Sequence, residues 1–581
     1  MSLIDKEKVL GERFGDSAFP IHWESEAEKK LLWVLDDLHC PHPLSPMFFD
    51  IGGWWTTCDN MFRRFGTPFA SDWIAKNVNG YLYTAAIPAD PDLKVDAAEF
   101  GARYAPRVPR NPEYAARVGA YLGAVLPVYG REFAAWWRER LVPEMKQNYA
   151  YIEGKLEKAD EMSLMQLAVL MEDMLDIYDR HWKIHWSLNF AQFSATMNLR
   201  AVAEKTRGKV DEVLLGRLQN STNDRNWDSI EALWKMKVEA KADPVLSAAF
   251  RAETAKDVAA RLVQSERGRR FVKERVEPYQ REFGWHAVWS HEVFFPTLVE
   301  DAHPVIELVR GYIETDYDFP KTIAGVRADV ESATKEILEG LSGEALDAMR
   351  AANEINLLMA PLTPDHHFYI DQGTNAHARL ILMAIGKKLV ENGALDRPDD
   401  VVMLTWYDEL RIYMADPKAF DARELVRRRR AEREESYKLH PPAWIGTGTD
   451  SQLKFPYLNL WGFPERFYQK EKTFEGKLTG LGASPGVIEG LARVVLKEEE
   501  FDEVRAGDIL ICQMTNPAWV ALFTKIAGVV TDGGGTASHA SVLSREFGIP
   551  CVVGTNTATR DFRSGDRIRV NGSTGVVEIV R

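Results

Sequence analysis

The feature that most restricts how this chain of 581 residues can fold is a change of hydrophobic period about three quarters of the way along it. Before residue 440, apolar side chains recur every three or four positions. Leu164, Leu167, Met171, Leu175, Tyr178, Trp182 and His185 make one such stripe, the signature of a helix face. Leu380, Ile381, Ala384, Ile385 and Leu389 make another, with Gly393 as its stop. The charge-dense stretch Asp421–Tyr437, containing Arg427-Arg428-Arg429-Arg430, is expected to be a solvated helix face. His440-Pro441-Pro442 and Gly446–Asp450 then break regular structure. Short β-rich runs follow at Ala492–Leu496, Asp508–Gln513, Gly528–Thr531, Cys551–Gly554, Arg567–Val570 and Gly575–Val580. Helices are expected over Pro517–Ile526 and from Ser538. The chain is therefore read as multidomain, a large and mainly α-helical domain over residues 1–470 and a smaller α/β domain over 471–581.

Composition narrows the partners. Formal net charge is −14, from 72 Lys+Arg against 86 Asp+Glu, a field that repels phosphodiester backbones and argues against nucleic acid. No apolar run approaches the roughly 20 residues of a membrane-spanning helix, and the charged start Asp5-Lys6-Glu7 is unlike a signal peptide. No membrane partner and a cytoplasmic location are the expectation. Cys40, Cys58, Cys512 and Cys551 form no CxxC pair, against a disulfide scaffold or zinc knuckle. Of 17 Trp, 16 precede residue 470, often in pairs such as Trp54-Trp55, Trp136-Trp137, Trp182/Trp186 and Trp285/Trp289. They suit either core packing or an aromatic-lined pocket.

The segment Thr531-Asp532-Gly533-Gly534-Gly535-Thr536-Ala537-Ser538-His539-Ala540-Ser541 follows a strand run and opens a helix. Gly533, Gly534 and Gly535 leave the backbone bare for close approach of an anion. A helix start adds free N–H donors and partial positive charge. Thr536 and Ser538 add hydroxyls. His539 stands at the junction, where a positive helix end favours the neutral, nucleophilic ring. That combination suits a covalent phosphohistidine. A tight turn plus an N-cap is the plainer reading of the same residues.

The run GGGTASHASVLSREFGIPCVVG, Gly533 to Gly554, closely resembles the phosphohistidine mobile domain of PEP-utilising enzymes such as PEP synthase and pyruvate phosphate dikinase. So does Gly480-Leu481-Gly482-Ala483-Ser484-Pro485-Gly486. Together the two motifs cover about 100 residues. The resemblance implies a swivelling β/β/α domain whose His539 carries a phosphoryl group between two sites. Ala537 departs from the Thr that those enzymes place two residues before the histidine. More faintly, His39–Pro46 and His366–Val401 resemble the substrate domain of rifampin phosphotransferase. Phe283-Gly284-Trp285-His286 stands where that family often has a Gly-His-Arg-Gly turn. No segment resembles an ATP-grasp domain, and no Walker-type loop is present. The layout is similar to phenylphosphate synthase and related aryl phosphotransferases. It implies that this chain binds no cofactor itself, and that ATP and Mg²⁺ belong to an ATP-grasp-type partner subunit.

The expected activity is ATP-dependent, dikinase-type phosphorylation of a small phenol by way of His539, with AMP and phosphate released. The alternatives are a regulatory phosphocarrier without a small acceptor and a kinase of a non-phenolic alcohol. The expected pocket residues are His39, Trp54, Trp55, Trp186, His286, Trp289 and His291, with His286 or His291 as general base. His366, His367, Asp371 and His377 form a second candidate set. No metal is expected: His181 and His185 have helical spacing but lack a companion glutamate motif.

Overall fold

The computed structural model describes residues 19–37, 39–57, 72–87, 124, 128–208, 211–287, 289, 291–314, 316–439, 441–447, 474–496, 498–515, 519–523, 525–535 and 538–580. The expected domain boundary at 470/471 and the loop residue Thr536 lie outside these residues. The long stripe is one helix, Leu164–Arg207, of 44 residues. Ser163 and Gln166 close a capping box at its start, and left-handed Gly208 (φ 77°) ends it. The second stripe is the helix Gly373–Glu391. Both pack with Val142–Leu156 and Gly343–Met359 around a core that includes Trp137, Trp182 and Trp406. Immediately before Gly373 the helical path widens into a π-helical turn, His367–Gln372. Such turns are frequent at functional sites.

Two expectations need correction. The Asp421–Tyr437 stretch is helical over Ala422–Ser436, but its arginines are not all solvated. Arg429 makes a bidentate bond to buried Glu409, and Arg430 reaches Asp399 and Asp400. Buried Arg433 lies 4.0 Å from the Phe294 ring and donates to the Pro43 carbonyl at 3.2 Å. Interior acids and an aromatic face supply what water would have supplied. Second, the helical domain carries a small antiparallel sheet of β1 (Trp33–Leu35), β2 (Asp72–Val78), β3 (Tyr81–Ile87) and β4 (Trp444–Ile445), in the order β2-β3-β1-β4. β4 follows the charged helix, so this sheet ties both ends of the helical region together.

The C-terminal domain is an eight-stranded sheet flanked by helices, ordered β5-β12-β11-β7-β8-β9-β10-β6. Its strands are β5 (Lys477–Thr479), β6 (Leu481–Ser484), β7 (Val487–Val495), β8 (Ile509–Cys512), β9 (Gly528–Thr531), β10 (Cys551–Val553), β11 (Arg567–Asn571) and β12 (Val576–Ile579). β7, β8, β9 and β10 run parallel, and the outer strands pair antiparallel. β8, β9 and β10 are wholly buried, as strands covered on both faces must be. Between β9 and β10 lies the helix His539–Phe547, ended by left-handed Gly548 (φ 67°).

This domain rests against the helical one. Trp519 meets Trp289 at 5.2 Å between ring centroids, and Phe547 meets Tyr317 at 5.6 Å. Lys525 Nζ lies 3.1 Å from Glu307 Oε1, and Arg545 Nε donates to Asn220 Oδ1 at 3.2 Å. The loop carrying His539 thereby faces the π-helical turn.

Candidate functional site

β9 delivers the chain into the Gly533–Gly535 loop. The Gly533 N–H already donates to the Gln513 carbonyl at 3.0 Å, and Thr531 Oγ1 donates to the Gly533 carbonyl. Gly533 therefore braces the turn rather than offering its N–H to an anion. Gly534 has φ 106°, and a Cβ there would meet Ser538 Oγ at 2.8 Å, so glycine is required. Ser538 is the N-cap residue, and its hydroxyl bonds to Ser541 Oγ at 3.0 Å. Ser541 in turn donates to the Gly535 carbonyl at 2.7 Å.

His539 is the first helical residue. Its Nδ1 lies 3.0 Å from Thr515 Oγ1, and its enclosed Nε2 has no hydrogen-bond partner among the described residues. Burial, reinforced by the charge of His367 across the interface, pushes its pKa down to about 3. Burial thus favours the neutral ring that the helix start was expected to favour. When Nδ1–H donates to Thr515, the Nε2 lone pair is the open one. Asp532, two residues before the loop's middle, is held by Thr559; burial, with Asp37 of the helical domain adding to it, pushes it up to about 6.

Opposite His539 stands a cluster centred on Asp371, which is fully buried. His367 Nδ1 bonds to its Oδ2. His185 Nε2 lies 3.8 Å from Oδ1, and His291 Nε2 and His366 Nε2 lie 3.7 and 3.9 Å from Oδ2. Burial would raise the Asp371 carboxyl, but the charge of His367, then His366, the His367 hydrogen bond and His185 outweigh it and hold it well below the usual range. Burial pushes His185 down to about 4 and His291 to about 3, although Asp371 pulls each the other way.

Of the pocket residues read from sequence, four gather here. The His39 ring lies edge-on to His291 at 5.0 Å, with Nδ1 on Asp36 at 2.9 Å. Trp54 Nε1 donates to the same Asp36 at 2.9 Å, and Trp186 Nε1 donates to the Trp54 carbonyl at 3.1 Å. The other three go elsewhere. Trp55 packs against Phe48 and Phe49, which is the core reading. Trp289 turns to Trp519 and His42. His286 Nδ1 is bonded to Gln372 Oε1 at 2.8 Å, and burial pushes it down to about 4. A cleft among Trp285, Trp289, Glu292, Gln372, Asn375 and Arg379 has room only for a water-sized guest. Sequence reasoning ranked neither Asp371 nor His367 first. Their i, i+4 spacing was visible, but the π-turn that brings both His366 and His367 toward one carboxylate was not.

With this geometry in view, the relatives are informative. Residues 504–575 match the PEP-utilising enzyme mobile domain. The chain carries a PEP-utilising mobile domain. Residues 185–360 match the fourth domain of rifampicin phosphotransferase. The chain is 30% identical over 428 residues to the uncharacterized phosphotransferase YvkC of Bacillus subtilis (strain 168), covering 74% of this chain and 50% of that protein. It is 37% identical over 202 residues to a rifampicin phosphotransferase of Streptomyces sviceus, 34% of this chain and 21% of that one. It is 49% identical over 100 residues to phosphoenolpyruvate synthase of Pyrococcus furiosus, 17% of this chain and 12% of that enzyme. The chain thus spans half the length of YvkC and smaller shares of the others. Among the described residues no helix is long and apolar enough to cross a membrane.

Proposed function

We propose that this chain is the acceptor and carrier part of a phosphotransferase, in which His539 carries a phosphoryl group and passes it to the hydroxyl of a small phenol bound beside His367 and Asp371. The observation that carries this reading is His539 Nε2, enclosed and without a hydrogen-bond partner among the described residues, on a mobile domain docked so that His539 faces the His367–Asp371 pair. Gly534, Gly535 and Ser538 shape the loop around the phosphoryl group. His39, Trp54, Trp186 and His291 form the aromatic side of the acceptor position, where a planar ring gains most from edge and face contacts.

The transfer step balances without a further reactant. The acceptor oxygen bonds phosphorus as the P–Nε2 bond breaks, and that electron pair returns to the imidazole. The hydroxyl proton passes to the neutral form of His367, whose Nδ1–H is held by Asp371, an orientation suited to a general base. In-line positioning and exclusion of water do the rest. Loading of His539 is assigned to an ATP- and Mg²⁺-binding unit of ATP-grasp type outside these 581 residues, with the β-phosphoryl retained and AMP released. A regulatory phosphocarrier is favoured only by the narrowness of the cleft beside Trp285.

The test loads the chain chemically with phosphoramidate and follows acid-labile phosphate on His539 by mass spectrometry while phenols, benzyl alcohols and short aliphatic alcohols are added. Phenol-dependent loss of the label with appearance of an aryl phosphate is expected. Equal or faster transfer to aliphatic alcohols overturns the phenol assignment. Label retained against every acceptor supports the regulatory reading.

A further inference from the structure

We propose that His185, His366 and Asp371 form a binding site for one divalent transition-metal ion. Their donor atoms lie within 4.8 Å of one another, and all three side chains are buried. The argument begins with hydrogen bonding. His366 Nδ1 faces the Leu362 carbonyl at 3.2 Å, and a carbonyl can only accept. The proton of the neutral ring is therefore on Nδ1, and the Nε2 lone pair points at the carboxylate, 3.9 Å away. With the ring neutral, two electron-rich groups then face each other inside the protein.

Asp371 repeats the point. Its Oδ2 takes the His367 hydrogen bond, while buried Oδ1 has no hydrogen-bond partner among the described residues. The nearest imidazole nitrogen, His185 Nε2 at 3.8 Å, is too far to donate. A buried carboxylate oxygen without a donor calls for a water or an ion. A cation between Oδ1, His185 Nε2 and His366 Nε2 would satisfy all three.

The donor chemistry selects the ion. Two neutral imidazoles and one carboxylate suit zinc and its first-row neighbours rather than Mg²⁺ or Ca²⁺, which take oxygen ligands. Zinc–nitrogen bonds of about 2.0–2.1 Å need these atoms to draw together by about an ångström. One outer group is already placed, since His366 Nδ1 is fixed by the Leu362 carbonyl; Asn189 Nδ2 lies 3.3 Å from His185 Nδ1, and ligation through His185 Nε2 needs that amide turned so that its oxygen accepts from Nδ1–H. Second hydrogen bonds of this kind set the tautomer of a ligating histidine. His367 can keep Oδ2 while the ion takes Oδ1, so the site does not displace the proposed base.

The test uses the full chain, stripped with chelator and titrated with Co²⁺. One equivalent is expected, with visible d–d bands of a four- or five-coordinate N/O site, displaced by Zn²⁺ but not by Mg²⁺. Failure of the stripped wild type to take up Co²⁺ overturns the proposal, and this arm needs no variant to fold. His366→Ala and His185→Gln should each weaken binding by more than the roughly 10–100-fold that loss of an outer partner costs. A tight equivalent retained in both overturns it too. His539→Ala should bind Co²⁺ like the wild type while failing in phosphotransfer, which separates this site from the phosphohistidine reading. Loss of Co²⁺ in that variant would put the ion at His539 and refute the assignment.

Discussion

The loop around His539 and the cluster around Asp371 face each other, yet they are built in opposite ways. The first is local: one strand, three glycines and the start of one helix, with braces from Gln513, Thr515, Ser538 and Ser541 within about thirty residues. The second draws on Asp36, His39 and Trp54 near the start of the chain, His185 and Trp186 in a long helix, His291 in a loop, and His366 to Asp371 in a π-turn. A group that must travel needs a self-contained holder. A site that must enclose an acceptor can be assembled from distant segments, because the large helical core fixes them.

That contrast predicts unequal responses to mutation. The largest effect belongs to His539→Ala. It should abolish phosphoryl transfer with unchanged thermal melting, since among the described residues the ring's one side-chain hydrogen bond is to Thr515. Turnover retained in a normally melting variant would refute the carrier role. Next is Asp371→Asn. It should leave loading of His539 intact but slow transfer to the acceptor by roughly 10²–10⁴-fold, the usual value of a positioned base. Single-turnover assays from the preloaded chain read the two steps apart. If loading and transfer fell together, Asp371 would be holding the fold rather than the base.

The same contrast explains what was legible in the sequence. Six C-terminal β runs are legible because each is a short apolar or alternating stretch between turns. β5, β6 and the first half of β7 are not, being short or only partly buried. The setting of His539 is legible in the sequence because it is contiguous. The Asp371 cluster was only half found, since periodicity tells which face a residue occupies and not which distant face meets it. The arginines of Asp421–Tyr437 show the same limit: their acidic partners Glu409, Asp399 and Asp400 lie in other segments. Trp content was ambiguous for a related reason, and the structure divides it among core (Trp55), cluster (Trp54, Trp186) and domain contact (Trp289).

Acidification should separate the two regions physically. In the docked arrangement burial, with the charge of His367 across the interface, lowers the His539 pKa from its ordinary value near 6.5 to about 3, and docking contributes the part that the helical domain supplies. A depressed histidine pKa means that the open form binds the proton, so docking is strongest above pH 6.5 and weakens as pH falls toward 3. The shift is at most about tenfold per pH unit. His367 faces the ring and adds to the effect, while Asp532, raised to about 6 by burial and Asp37, opposes it. Small-angle scattering from pH 7.5 to 5 should show opening in the wild type and a flatter response in His539→Asn. Equal responses would assign the pH dependence to other buried groups.

Trp289→Ala should loosen docking at constant pH. Its ring pair with Trp519 is worth about 0.5–1.5 kcal/mol beyond burial, so the open fraction should rise by a few-fold to about tenfold. Crosslinking between the domains measures it, and an unchanged yield would mean that this contact follows docking rather than driving it.

The smallest effect is electrostatic. Lys525 reaches across to Glu307, but Glu307 also takes two bonds from Arg310, at 2.6 and 2.8 Å. Removing the lysine therefore leaves the carboxylate paired, and a partly exposed pair contributes only about 0–1 kcal/mol. Lys525→Ala should change docking by less than about fivefold. Lys525→Glu, which puts two carboxylates together, should open the domains more, and 0.5 M salt should erase most of the difference because the pair is solvent-accessible. If Lys525→Ala instead matched Trp289→Ala and resisted salt, the domain contact would be electrostatic at its centre. The mobile domain would then be held by charge rather than by its aromatic seam.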